Sequence, residues 1–127
     1  MPAELTDRLD GNPLVWVILN AGILESSSFD QLDEASIRRQ FEVNALAPLR
    51  LVRALVGQIP NGGKLALMTS RMASIDDNSS GGSYGYRMSM TALNSAGKSL
   101  AHDLRPRGIA VAILTPKLVS TCMIGIK

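Results

Sequence analysis

Cysteine, aromatic residues and an excess of either charge are all scarce in this chain of 127 residues. The one cysteine, Cys122, excludes an intramolecular disulfide and a cysteine-rich zinc site, and it fits a reducing, cytoplasmic setting. Aromatic residues make up 4% of the chain, too few for a surface that stacks the bases of single-stranded nucleic acid. Thirteen Lys and Arg against eleven Asp and Glu leave a net charge of +2. Those charges are scattered and support neither a nucleic-acid nor an acidic-membrane partner. The longest apolar runs, near Leu14–Leu19 and Ile109–Leu114, are far too short to span a bilayer. Met1–Gly11 has no basic region followed by an apolar one, which argues against a signal peptide. With one histidine and no set of ligands at suitable spacing, no metal site is expected.

What is present is globular. Hydrophobic residues are 46% and charged residues 19%, and the length suits one domain over residues 1–127. Three short runs read as strands: Leu14–Leu19, Lys64–Thr69 and Ile109–Leu114. The first and third are continuously apolar, the habit of strands buried on both faces of a parallel sheet. Turn residues bound each run, among them Gly11-Asn12-Pro13, Asn61-Gly62-Gly63 and Arg107-Gly108. Two helical patterns lie between them. In the first, Ile37, Phe41, Leu51, Val52 and Leu55 recur at helical spacing behind an acidic Asp33-Glu34 start. Pro48 interrupts this pattern and predicts a kink, because it cannot donate to the Asn44 carbonyl. In the second, Leu93, Gly97, Leu100 and Leu104 line one face of an Ala-, Ser- and Gly-rich helix. A polar loop, Asp76–Ser83, precedes it. Met68, Met72, Met88, Met90 and Met123 read as fillers of packing gaps.

The order strand–helix–strand–helix–strand predicts an α/β fold. With right-handed crossovers and strands in sequential order, both helices fall on one face of the sheet. The other face is then bare although its strands are apolar. That predicts self-association, through the helices or the exposed sheet face, or docking on a partner.

Gly81-Gly82-Ser83-Tyr84-Gly85 matches Gly-x-Ser-x-Gly, the turn that exposes the nucleophile of serine esterases. On that pattern Ser83 is a candidate hydrolase nucleophile. No strand precedes it, however, and a Gly/Ser loop opening a helix explains the same residues. The only histidine, His102, lies about 28 Å from Ser83 along a continuous helix, so no Ser–His hydrogen bond forms within one chain. The helix dipole accounts for a histidine at that C-terminal end.

Read in order, five segments resemble the short-chain dehydrogenases/reductases. They are Leu9–Leu14 with Leu19-Asn20-Ala21-Gly22-Ile23, then Val43-Asn44-Ala45, Leu67-Met68-Thr69-Ser70, Tyr86–Asn94 and Ile113–Thr121. The run Tyr84–Ser89 is most similar to the C-factor or carbonyl-reductase-like branch. The resemblance covers nearly the whole chain. It implies a partial Rossmann-like three-layer fold reduced to about three parallel strands and two main helices. By the same resemblance Tyr86, Ser70 and Asn44 are the catalytic positions: proton donor, partner of the substrate oxygen and holder of a relay water. Asn20, Ala21, Gly22 and Thr121 are cofactor-facing, and the implied cofactor is NAD(P).

Three departures qualify this. No Gly-rich turn of the kind that seats a dinucleotide diphosphate on helix-end N–H groups stands before Asn20. Met90 stands where the family's Tyr-x-x-x-Lys motif has its lysine, and Lys98 is about 12 Å further along the helix. Lys117 replaces the glycine that follows the family's proline, here Pro116. The expectation is an N-terminally truncated, substrate-side portion of the fold that binds no cofactor in isolation and has no independent oxidoreductase activity. A small esterase using Ser83 and an oligomeric interaction module are the alternatives.

Overall fold

The computed structural model describes residues 2–116. Lys117, Thr121, Cys122 and Met123 lie outside the described residues. Helix α1 spans Pro2–Leu9 and strand β1 Trp16–Leu19. Helix α2, Glu34–Phe41, continues through a π turn, Glu42–Leu46, into α3, Ala47–Leu55. Strand β2 is Lys64–Met68, helix α4 is Tyr84–Asp103 and strand β3 is Ala110–Leu114.

Each boundary has a local cause. Asp33 caps α2, its carboxylate accepting the Ser36 N–H at 3.2 Å, and Glu34 adds charge where the dipole favours it. The break expected at Pro48 takes the form of the π turn. The Ala47 N–H reaches back to the Glu42 carbonyl, and Pro48 then sits in the first turn of α3, where a missing N–H costs least. After α4, Gly108 adopts φ 65° and turns the chain into β3. Helix α1 is not part of the strand–helix alternation read from the sequence. It is short and mostly polar, but Leu5 and Leu9, one turn apart, pack against the core.

The three strands are parallel and run in sequential order, β1-β2-β3. Trp16 faces Lys64, which faces Ala110; Leu19 faces Leu67, which faces Ile113. One face carries Val17, Leu65 and Leu67 into a core shared with Val52, Leu55 and Leu93. The other carries Trp16 and Ile18, exposed at 58% and 60%, together with exposed Ala110 and Ala112. Ala66, flanked by Ile18 and Ala112, is buried there, and Met68 at the end of the strand is half-buried. Lys64 lays its ammonium 4.7 Å from the centre of the Trp16 ring on this face. The structure is therefore an α/β fragment with its helices against one side of a three-stranded parallel sheet, as the connections require.

Two glycines of α4 set how closely it docks. A Cβ at Gly97 would lie 2.8 Å from Ile113 Cδ1 and 3.0 Å from Leu67 Cδ1. Both are ends of flexible side chains. A Cβ at Gly85 would lie 2.5 Å from Gln40 Nε2 and 3.1 Å from the Ile37 Cα, a backbone atom that cannot step aside. Gly85→Ala is therefore expected to lower the unfolding free energy by about 2 kcal/mol. Gly57→Ala, where the added carbon meets nothing within 4 Å, is expected to leave it unchanged or slightly raised. Urea unfolding of the two variants checks the contrast.

Candidate functional site

The extended segment after β1 is held from one side by two carboxamides spaced one helical turn apart. Asn44 accepts the Ile23 N–H on Oδ1 at 2.8 Å and donates from Nδ2 to the Ile23 carbonyl at 2.8 Å. Gln40 accepts the Glu25 N–H on Oε1 at 3.0 Å and donates to the Glu25 carbonyl at 3.2 Å. Each amide thus imitates a neighbouring strand, and together they grip alternate residues. Both side chains are 0% exposed. Helix α4 backs them at the same spacing, with Gly85 beneath Gln40 and the Ser89 hydroxyl accepting from Asn44 Nδ2 at 3.0 Å. Ser89 in turn donates to the Tyr86 carbonyl at 2.8 Å. Both N–H protons of the Asn44 side chain are thereby committed, one to Ile23 and one to Ser89.

Ser70 and Tyr86 are both buried, one two residues past the end of β2 and one in the first turn of α4. Ser70 Oγ accepts the Met72 N–H at 3.1 Å and caps the turn Arg71–Ala73, which leaves its own proton to donate elsewhere. Tyr86 packs in the core with Ala73, Met90 and Leu93. Met90 is 4% exposed, and the Thr69 hydroxyl points at its sulfur from 3.9 Å. Gly22 closes the frame: a Cβ there would lie 3.3 Å from Asn44 Oδ1 and 3.9 Å from Met90 Cε. Packing against Asn44 therefore accounts for a glycine at this turn. The structure brings Gly22, Asn44 and Met90 together and leaves Thr121 undescribed. The sequence pattern did not single out Gln40, Ser89 or Thr69. The paired spacings Gln40-x-x-x-Asn44 and Gly85-x-x-x-Ser89, polar or small residues at positions a helix buries, are the signal that points to the first two.

Ser83 stands apart. It precedes α4 with φ 49° and ψ 45°, a left-handed conformation, and follows Gly81 and Gly82 at φ 66° and 67°. Its N–H donates to the Ser27 carbonyl at 2.8 Å, and its hydroxyl caps nothing. A loop leads into it, and His102 lies in the last turn of the same helix. The structure does not bring the two together within the chain. Gly85, the last residue of the Gly-x-Ser-x-Gly pattern, is accounted for by its approach to Gln40.

Charge reinforces the clamp at its outer end. Arg39 donates to Glu25 from Nε at 2.9 Å and from Nη2 at 2.7 Å, and the Ser36 hydroxyl donates to the same carboxylate. The hydrogen bond from Arg39, then that from Ser36, holds the Glu25 carboxyl down at about 2 from its ordinary 4.5. Among the described residues no group of three or more His, Cys, Asp or Glu stands ready to hold a metal ion. No helix there is long and apolar enough to cross a membrane.

Residues 3–125 match the short chain dehydrogenase family. The chain is 42% identical over 121 residues to a 1-hydroxy-2-glutathionyl-2-methyl-3-butene dehydrogenase from a Rhodococcus species, covering 95% of this chain and 53% of that protein. It is 40% identical over 116 residues to the C-signal protein of Myxococcus xanthus, covering 89% and 70% respectively. A short-chain dehydrogenase/reductase structure from Burkholderia multivorans with bound NADP superposes with a TM-score of 0.83 at 30% identity, covering 91% of this chain and 51% of that one. The chain thus spans roughly half to two-thirds of the lengths of these proteins.

NAD(P) is the cofactor such relatives imply, and the residues here fit it only in part. Asn20-Ala21-Gly22 opens the irregular segment after β1, but no Gly-rich turn for a diphosphate is among these residues. At Met90 a thioether fills the position of a hydrogen-bonding ammonium.

Two outcomes follow. Ser83→Gly relieves the left-handed strain and is expected to raise stability by about 1 kcal/mol while leaving hydrolysis of a short acyl ester at its wild-type level. A loss of hydrolysis would identify Ser83 as a nucleophile. Glu25 has a depressed pKa in the folded state, so its contribution is complete above the ordinary value of 4.5 and is lost as pH falls toward 2. The urea midpoints of wild type and Glu25→Gln are therefore expected to differ at pH 7 and to converge between pH 4.5 and 2.

Proposed function

The chain belongs to the short chain dehydrogenase family, and from that premise we propose that these residues form the substrate-facing half of such a fold and do not by themselves catalyse NAD(P)-dependent hydride transfer. Met90 carries this reading. In a Tyr-x-x-x-Lys helix the ammonium stabilises the tyrosinate and hydrogen-bonds the cofactor ribose. Here the same position, four residues after Tyr86, holds a thioether packed on the Thr69 hydroxyl. Among the described residues α4 then places no cation one turn from Tyr86, and a general acid without a hydride source completes no reduction. Ser70 and Tyr86 are left able to hydrogen-bond a substrate oxygen, and Asn44 serves as the clamp that fixes the turn beside them.

Calorimetry of the pure chain with NADPH and with NADH, each up to millimolar concentration, is expected to show no binding, and carbonyl reduction is expected to be absent. Met90→Lys is expected not to restore turnover, because the diphosphate seat is still missing. Saturable nicotinamide binding by the unmodified chain, or reduction after that single change, would overturn the proposal.

A further inference from the structure

Helix α4 has a third face, distinct from those turned to the core and to α2. Tyr84, Arg87, Met88 and Thr91 lie along it, and the loop after Ala73 passes in front of it. Between helix and loop is a cavity of about 490 Å³, within the range that holds small organic ligands. Its walls are apolar at Met72, Ile75 and Met88 and polar at Ser74 and Asn78, with Arg87 inside.

Arg87 is the anomaly. Its Nε and Nη1 are buried and have no hydrogen-bond partner. Among the described residues the guanidinium makes one side-chain hydrogen bond, from Nη2 to Ser80 Oγ, at 3.2 Å. Asp77, in the same loop, is taken by Arg71, at 3.0 Å from Nε and 2.8 Å from Nη2. Among the described residues Arg87 forms no ion pair. Three N–H protons, one on Nε and two on Nη1, are thus left screened from water and unused. A guanidinium in that state carries a desolvation cost that nothing in the chain offsets, and a bound anion removes it.

We propose that this cavity binds an organic carboxylate, with its anionic head on Arg87 and its apolar body against Met72, Ile75 and Met88. One cation, with neutral polar groups at Ser74 and Asn78 and apolar side chains at Met72, Ile75 and Met88, suits a single carboxylate on a hydrocarbon stem. A phosphate site ordinarily adds several backbone N–H donors. Entry displaces the long Arg87–Ser80 hydrogen bond, and Ser80 lies in an exposed stretch of the loop. The site needs neither NAD(P) nor turnover, so it stands or falls independently of the proposed function.

The test uses the wild-type chain labelled with ¹⁵N and no nicotinamide. Hexanoate, its neutral counterpart hexanamide, and inorganic phosphate are titrated while the Arg87 Nε–H and the amides of residues 72–82 are followed by NMR. Hexanoate is expected to shift these signals saturably, hexanamide to leave them in place, and phosphate to act more weakly than hexanoate. Arg87→Gln is expected to weaken hexanoate binding at least about ten-fold. Equal shifts from the acid and the amide, stronger binding of phosphate, or full hexanoate affinity in a folded Arg87→Gln would each overturn the proposal. The comparison of acid with amide is made on the unmodified chain and is decisive even if the variant does not fold.

Discussion

The site depends on two buried amides that do the work of a missing strand. Past the end of β1 the chain leaves the sheet, and its backbone N–H and C=O groups need partners away from water. Asn44 and Gln40 supply them to Ile23 and Glu25 in four hydrogen bonds, from helix positions that ordinarily face outward or bury hydrocarbon. Everything around them adapts to that arrangement. Gly85 gives up its side chain so that Gln40 fits, Gly22 does so in favour of Asn44, and Ser89 takes the last free proton of the Asn44 amide. The π turn beginning at Glu42 re-aims the helix where Asn44 lies, so that both amides and Pro48 are accommodated in one continuous rod.

The Asn44 side chain is committed to the backbone of Ile23 and to Ser89, so what it contributes here is the hold on the segment after β1. Ser70 Oγ accepts from the Met72 N–H and keeps its own proton, while the buried helix face after Tyr86 carries the Met90 sulfur against the Thr69 hydroxyl. Short-chain dehydrogenases distribute cofactor and substrate contacts over different elements.

Much of this was readable from residues alone, for identifiable reasons. Continuous apolar runs between turn residues mark parallel strands, since both faces of such a sheet are normally covered. The bare side bearing Trp16 and Ile18 follows from the handedness of the crossovers once strand order is known. The helix break at Pro48 follows from covalent chemistry. Helix α1 escaped because two leucines on a polar octapeptide make a faint stripe. Gln40 and Ser89 escaped because apolar periodicity is blind to polar side chains that are buried by pairing. The left-handed Ser83 and the isolated guanidinium of Arg87 are properties of how the loop meets α4, and no one-dimensional pattern encodes them.

The seam between Gly97 and Ile113 ties the order of assembly to the direction of synthesis. The notch in α4 is filled by a side chain from the last strand, and the outer edge of β2 finds its hydrogen bonds there too. While a ribosome still holds residues 110–114, the emerged helix has a hollow with nothing to receive and the sheet has two strands. The seat of α4 on the sheet is therefore completed only when β3 pairs with β2, however early the helix itself has formed.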